Sequence, residues 1–200
     1  MRYFRLYFLA LLISTAIMFA AGCKSSGGLG ILSPTDETAE AANLIAEANQ
    51  DLTKIKLLYR ENEGKREELK AAMEKNDAVT AKKIADEVVY LINDGSAFAE
   101  SAVAKVQKAQ EMQINDDYRE YLRLKEEALK RQLAAFEEYR QAARTLREKY
   151  DPKNTAMREI VATEFKTRSE NYRKLMEEAR DYSSRANELA KDVTRRQQTQ

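Results

Sequence analysis

Apolar residues recur at alternating steps of three and four along four consecutive segments, and this pattern constrains the fold more than any other feature of the chain. The four stripes run from Ile45 to Met73, from Ile84 to Met112, from Leu122 to Tyr150 and from Val161 to Val193. Such spacing places apolar side chains on one face of an α-helix, and stripes of several heptads pack together as in coiled coils. The pattern predicts four long helices, near residues 36–74, 78–113, 116–149 and 153–195.

The breaks between these segments contain the residues that cap helices. Asn and Asp occur in each break, near residues 76, 115 and 152, and Pro152 is expected just inside the last helix. Ser33 is expected to cap the first helix, with Pro34 as its first residue. Because the connections are short, consecutive helices should be antiparallel. We therefore predict an all-α fold, an antiparallel four-helix bundle over residues 34–196 with a polar tail at 197–200.

The N-terminal region has a different pattern from the helical body. Arg2 and Arg5 precede an apolar run over residues 6–19, and Ala20, Ala21 and Gly22 lead directly to Cys23, the one cysteine of the chain. This layout resembles the signal peptide and lipobox of bacterial lipoproteins. The resemblance implies cleavage between Gly22 and Cys23, with a diacylglycerol on the Cys23 sulfur and an acyl chain such as palmitate on its amine. An ordinary signal peptide or a retained membrane-spanning helix are the alternatives.

The residues after Cys23 bear on location. Residues 23–33 are rich in Gly and Ser and are predicted to be a flexible tether. Lys24 stands where many inner-membrane lipoproteins have Asp, so the resemblance favours the outer membrane, facing the periplasm, over the inner membrane or the cell surface. The expected partners are membrane lipid and, in the envelope, a protein or peptidoglycan. The near-neutral balance of charge, a net +1, argues against nucleic acid as a partner.

The composition argues against catalysis. The chain has no His, which removes di-iron, haem, zinc-protease and serine-triad chemistry in their usual forms. Its Glu pairs are adjacent in sequence, so their side chains point roughly 100° apart around a helix. This spacing is typical of side chains exposed to solvent. We expect a protein that is not an enzyme and holds no metal or cofactor other than the lipid on Cys23.

One level of the predicted bundle is rich in aromatic residues. Antiparallel hairpins bring six rings and a glycine close to the same height, with Arg168 nearby: Tyr59, Gly95, Phe98, Phe136, Tyr139, Phe165 and Tyr172. We favour packing, in which Gly95 makes room for the neighbouring rings, over a ligand site. Polar stripe residues such as Asn62, Lys105 and Lys125 are expected to fix the register of the helices.

Two functions from different classes remain. The first is a non-catalytic structural or protein-interaction module of the cell envelope. The second is a ligand-binding or sensory bundle with its site at the aromatic level. The stripes could also pair between two chains, which would give a homodimer.

Overall fold

The computed structural model describes residues 37–198, and this part of the chain consists of four α-helices and their connections, without a β-strand. The helices are α1 (Thr38–Glu74), α2 (Ala78–Gln110), α3 (Asp116–Lys149) and α4 (Thr155–Gln198). The predicted all-α four-helix bundle is confirmed. The predictions for the signal peptide, Cys23, the tether, the Ser33–Pro34 helix start and residues 199–200 lie outside the described residues.

The turn between α1 and α2 is closed by a Schellman motif. Asn76 has a left-handed backbone, with φ of 56°. Its N–H donates to the Met73 carbonyl at 3.1 Å, and the Asp77 N–H donates to the Ala72 carbonyl at 2.9 Å. The Asp77 side chain then accepts from the Thr80 N–H at 3.1 Å and caps α2. Two neighbouring residues therefore end one helix and begin the next.

The other two turns also follow the predicted capping chemistry. Asn115 accepts from the Tyr118 N–H at 2.8 Å at the start of α3, and Asn154 accepts from the Met157 N–H at 3.1 Å at the start of α4. The prediction for Pro152 was wrong, because this residue lies in the turn before Asn154 and not inside the helix.

Four predicted helix ends are corrected by a few residues. α1 begins at Thr38 rather than 36. α2 ends at Gln110 rather than 113, because residues 111–113 turn back towards the start of α1. There the Gln113 N–H donates to Glu37 Oε2 at 2.6 Å, and the Glu37 N–H donates to the Gln113 carbonyl at 3.0 Å. α4 begins at 155 instead of 153 and continues to 198 instead of 195.

Polar contacts between helices show that consecutive helices run antiparallel. Between α1 and α2, Ser101 contacts Asp51 and Glu87 contacts Lys65, so the partner number falls as the α1 number rises. The same reversal relates α2 to α3 and α3 to α4. Each helix packs against the next along the chain. Within the four described helices, no Cα atom of α1 lies within 8 Å of a Cα atom of α4. On that side of the bundle, α1 and α4 approach each other only through their side chains.

The buried apolar residues form two clusters at opposite ends of the bundle. The turn-end cluster lies beside the α1–α2 and α3–α4 turns and comprises Leu69, Ala72, Ala81, Ile84, Ala85, Val88, Val89, Ile92, Ala143, Leu146, Tyr150 and Val161. The Glu37-end cluster comprises Ala41, Ala48, Ala102, Val106, Ala109, Ile114, Leu122 and Leu129. α2 buries more than the single predicted stripe, because it packs against both α1 and α3. The middle of the bundle lies between these two cores.

Candidate functional site

An aromatic layer lies at mid-bundle, where α1, α3 and α4 face one another. The rings of Tyr139 and Tyr172 are 6.2 Å apart between centroids and are tilted by 57°. The guanidinium carbon of Arg66 lies 5.7 Å from the centre of the Tyr139 ring, a cation–π distance. Tyr59 of α1 is close enough to influence both phenols electrostatically. We call Tyr59, Arg66, Tyr139 and Tyr172 the tyrosine layer.

Burial keeps the two central phenols neutral. Desolvation raises the pKa of Tyr139 well above its usual 10 and raises the pKa of Tyr172 to about 12. The positive charge of Arg66 opposes both shifts because it favours the phenolate, and Arg180 acts in the same direction on Tyr172. At neutral pH these side chains are hydroxyl donors, not bases.

The two arginines near this layer have no carboxylate partner. Among the described residues, no Asp or Glu oxygen lies within 4.0 Å of the guanidinium nitrogens of Arg66 or Arg180. Arg168, in contrast, is held at 2.8 Å by Glu164 and at 3.1 Å by Glu138. Arg168 was the predicted cation of a mid-bundle site, but its charge is already matched.

Asn62 contributes an unsatisfied acceptor on the same helix face. It lies three residues after Tyr59 and four before Arg66, a spacing that aligns all three side chains on α1. Only 7% of Asn62 is exposed, and its Oδ1 atom has no hydrogen-bond partner. Buried amide oxygens in folded proteins are nearly always paired, so this one is unusual.

The structure divides the predicted aromatic site between different interfaces. Gly95 is buried between α2 and α1, where an added Cβ would lie 4.0 Å from Leu58 Cδ1. Phe98 lies beneath the Lys54 ammonium at 4.7 Å, and Phe136 packs on the turn-end cluster. Of the aromatic residues predicted at this level, Tyr59, Tyr139 and Tyr172 fall in the tyrosine layer.

Two buried carboxylates are structural groups that the stripe pattern did not predict. Asp51 accepts from Ser101 Oγ at 2.8 Å and from Lys105 Nζ at 2.5 Å. Burial acts to raise the pKa of Asp51, but the bonds from Lys105 and Ser101 outweigh it and lower the pKa. Lys105 was predicted to fix register, and its bond to Asp51 supplies that link between α1 and α2.

Glu126 forms the corresponding link between α3 and α2. Its two carboxylate oxygens accept from Gln107 Nε2 at 2.7 Å and from Gln110 Nε2 at 2.6 Å, and Lys130 Nζ lies at 2.6 Å. These donors lower its pKa against the opposing effect of burial. Asp51 and Glu126 therefore stay ionised with their oxygens occupied.

Residues 37–198 show neither a candidate membrane-spanning helix nor a candidate metal site. No helix in this range combines the length and apolarity needed to cross a bilayer, and no group of three or more His, Cys, Asp or Glu residues converges as metal ligands would. Comparison of the chain with protein-family models, with curated proteins and with solved structures gives no match. Functional inference therefore rests on the chain's own residues.

Proposed function

We propose that the protein is a lipid-anchored, non-catalytic module of the bacterial cell envelope that makes structural or protein contacts through its helical bundle. The observation that carries this proposal is the position of Cys23, which follows Ala20, Ala21 and Gly22 at the end of an apolar run. Two acyl chains or more hold a protein stably at a bilayer, whereas one does so only marginally. Lys24 favours the outer membrane, with the bundle in the periplasm.

The chemistry of the bundle supports a non-catalytic role. General acids and bases need a pKa near the working pH and an accessible proton. Asp51 and Glu126 have lowered pKa values and fully engaged oxygens, while Tyr139 and Tyr172 are held neutral. The whole sequence also contains no His. These groups stabilise the bundle and are poorly suited to proton transfer.

The surface offers apolar residues suited to partner contact. Val79 is 83% exposed and Ile160 is 49% exposed, and they follow the α1–α2 and α3–α4 turns respectively. Both turns lie at the end of the bundle opposite Glu37, about 55 Å away along the 37 residues of α1. This end is our candidate for contact with an envelope protein or with peptidoglycan.

Fractionation of cells tests the anchor. Cys23→Ala should move the protein out of the membrane fraction or block its maturation, while the matched variant Ser25→Ala should leave it in the membrane. Unchanged membrane retention of Cys23→Ala would contradict the proposal.

Crosslinking tests the interaction. Photo-crosslinkers at Val79 and Ile160 should recover one specific envelope partner, and crosslinkers at the exposed Glu47, near the other end, should not. Recovery of a second copy of the chain would favour the homodimer, and repeated recovery of nothing at either end would count against a contact role.

A second candidate function is ligand binding. The observation that favours it is the orphaned Oδ1 atom of Asn62 beside the unpaired Arg66.

A further inference from the structure

The side of the bundle between α1 and α4 is packed less tightly than the others. The Cα atoms of the two helices stay more than 8 Å apart, and α4 has only three buried residues among its 44. Its large apolar side chains are half-buried instead: Phe165, Tyr172, Leu175, Tyr182, Leu189 and Val193. Tyr139 and Tyr172 lie at this interface, where both side chains are half-buried.

Asn62 supplies a buried acceptor without a hydrogen-bond partner on the α1 face that carries Tyr59 and Arg66. An unpaired buried acceptor lowers the stability of the fold, because the atom has lost its hydrogen bonds to water and has formed none in the protein. The stripe of α1 carries apolar residues on either side of Asn62, and a leucine at this position would avoid the loss of stability. A bound group that donates a hydrogen bond to Asn62 Oδ1 would offset that loss.

Arg66 brings an unmatched positive charge to the same place. Its guanidinium lies over the Tyr139 ring and has five N–H donors, but no carboxylate oxygen of the described residues lies within 4.0 Å of it. Arg180 adds a second unpaired positive charge close to Tyr172. Planar guanidinium groups bind carboxylates through paired hydrogen bonds. The local field therefore favours an anion.

We propose that the tyrosine layer binds a small aromatic carboxylate that also carries a hydrogen-bond donor. Its carboxylate pairs with Arg66, its ring packs against Tyr139 and Tyr172, and its donor reaches Asn62 Oδ1. Flat rings suit this position because aromatic pairs prefer offset or tilted contacts at centroid distances of about 4.5–7 Å. This site is separate from the lipid anchor, and neither depends on the other.

Calorimetric titration of the full chain in detergent with 4-hydroxybenzoate tests the charge requirement. We expect saturable binding, with 4-hydroxybenzyl alcohol, which lacks the carboxylate, binding at least tenfold more weakly. Arg66→Gln should raise the Kd about tenfold, whereas Arg60→Gln, which removes an exposed arginine from the same helix, should change it less than twofold. Circular dichroism melts of both variants check that the bundle is retained.

Asn62→Leu tests the donor requirement. The original protein should prefer 4-hydroxybenzoate to benzoate, and the variant should lose this preference while melting at a higher temperature without ligand. Three results would overturn the proposal: no saturable heat up to about 10 mM probe, equal affinity in Arg66→Gln and the original protein, or an unchanged preference in Asn62→Leu. In each case Asn62 serves only register or an internal water. None of these results bears on membrane attachment through Cys23.

Discussion

Gly95→Ala should stabilise the bundle, and the structure gives the size of the effect. Gly95 is buried in the middle of α2, and the nearest heavy atom to an added Cβ is Leu58 Cδ1 at 4.0 Å, an ordinary van der Waals distance. Alanine is favoured over glycine inside a helix by about 1 kcal/mol. Burying the added methyl group contributes about 0.8 kcal/mol more. We therefore expect a gain of about 2 kcal/mol in the free energy of unfolding.

Gly64→Ala separates the two contributions. Gly64 is an exposed residue of α1, and nothing lies within 4 Å of a Cβ placed on it. This substitution should raise the free energy of unfolding by about 1 kcal/mol, from the higher helix propensity of alanine alone. Urea unfolding followed by circular dichroism measures both variants on the same scale. A Gly95→Ala protein less stable than the original would refute the reasoning, because it would mean that a neighbouring ring, not open space, adjoins Gly95.

Substitutions at three further residues test the polar contacts. Lys105→Met should destabilise the protein by about 2 kcal/mol in urea unfolding, because it leaves the buried Asp51 carboxylate without its closest cation; a change near zero would show that the pair contributes nothing. Asp51 has a pKa below its usual 3.8, so its stabilising effect is present above that pH and is lost as the pH falls through the folded-state value. The free energy of unfolding of Asp51→Asn should accordingly fall less steeply below pH 3.8 than that of the original protein. An equally steep fall in both proteins would contradict a lowered pKa for Asp51. Asn115→Ala should cost about 1 kcal/mol by removing the cap of α3, while Asn115→Asp should keep most of the stability; equal losses in the two variants would argue against the cap.

The helices and their caps were predictable because their causes are local. Apolar spacing fixes which face of a helix is buried, and Asp77, Asn115 and Asn154 satisfy N–H groups only three residues away. Pro152 shows the limit of this reasoning. The fixed φ of proline is compatible both with the first turn of a helix and with the preceding loop, so the residue alone does not predict which of the two it occupies.

The candidate site was only partly predictable. The constant rise of an α-helix sets the height of each residue, which is why Tyr59 and Tyr172 were expected at one level. Height does not determine which interface a side chain faces, and Gly95 and Phe98 lie between α1 and α2 instead. The burial of Asp51 depends on Ser101 and Lys105, 50 and 54 residues away. No sequence pattern within α1 indicates that Asp51 pairs with these residues.

The mass of the N-terminal peptide of the mature protein tests the central claim most directly. Peptides from membrane-purified protein should begin at Cys23 and carry the added mass of a diacylglycerol, with or without a further acyl chain on the amine. A mature protein whose N-terminal peptide retains residues 1–22, or begins at an unmodified Cys23, would contradict the account of a lipid-anchored bundle.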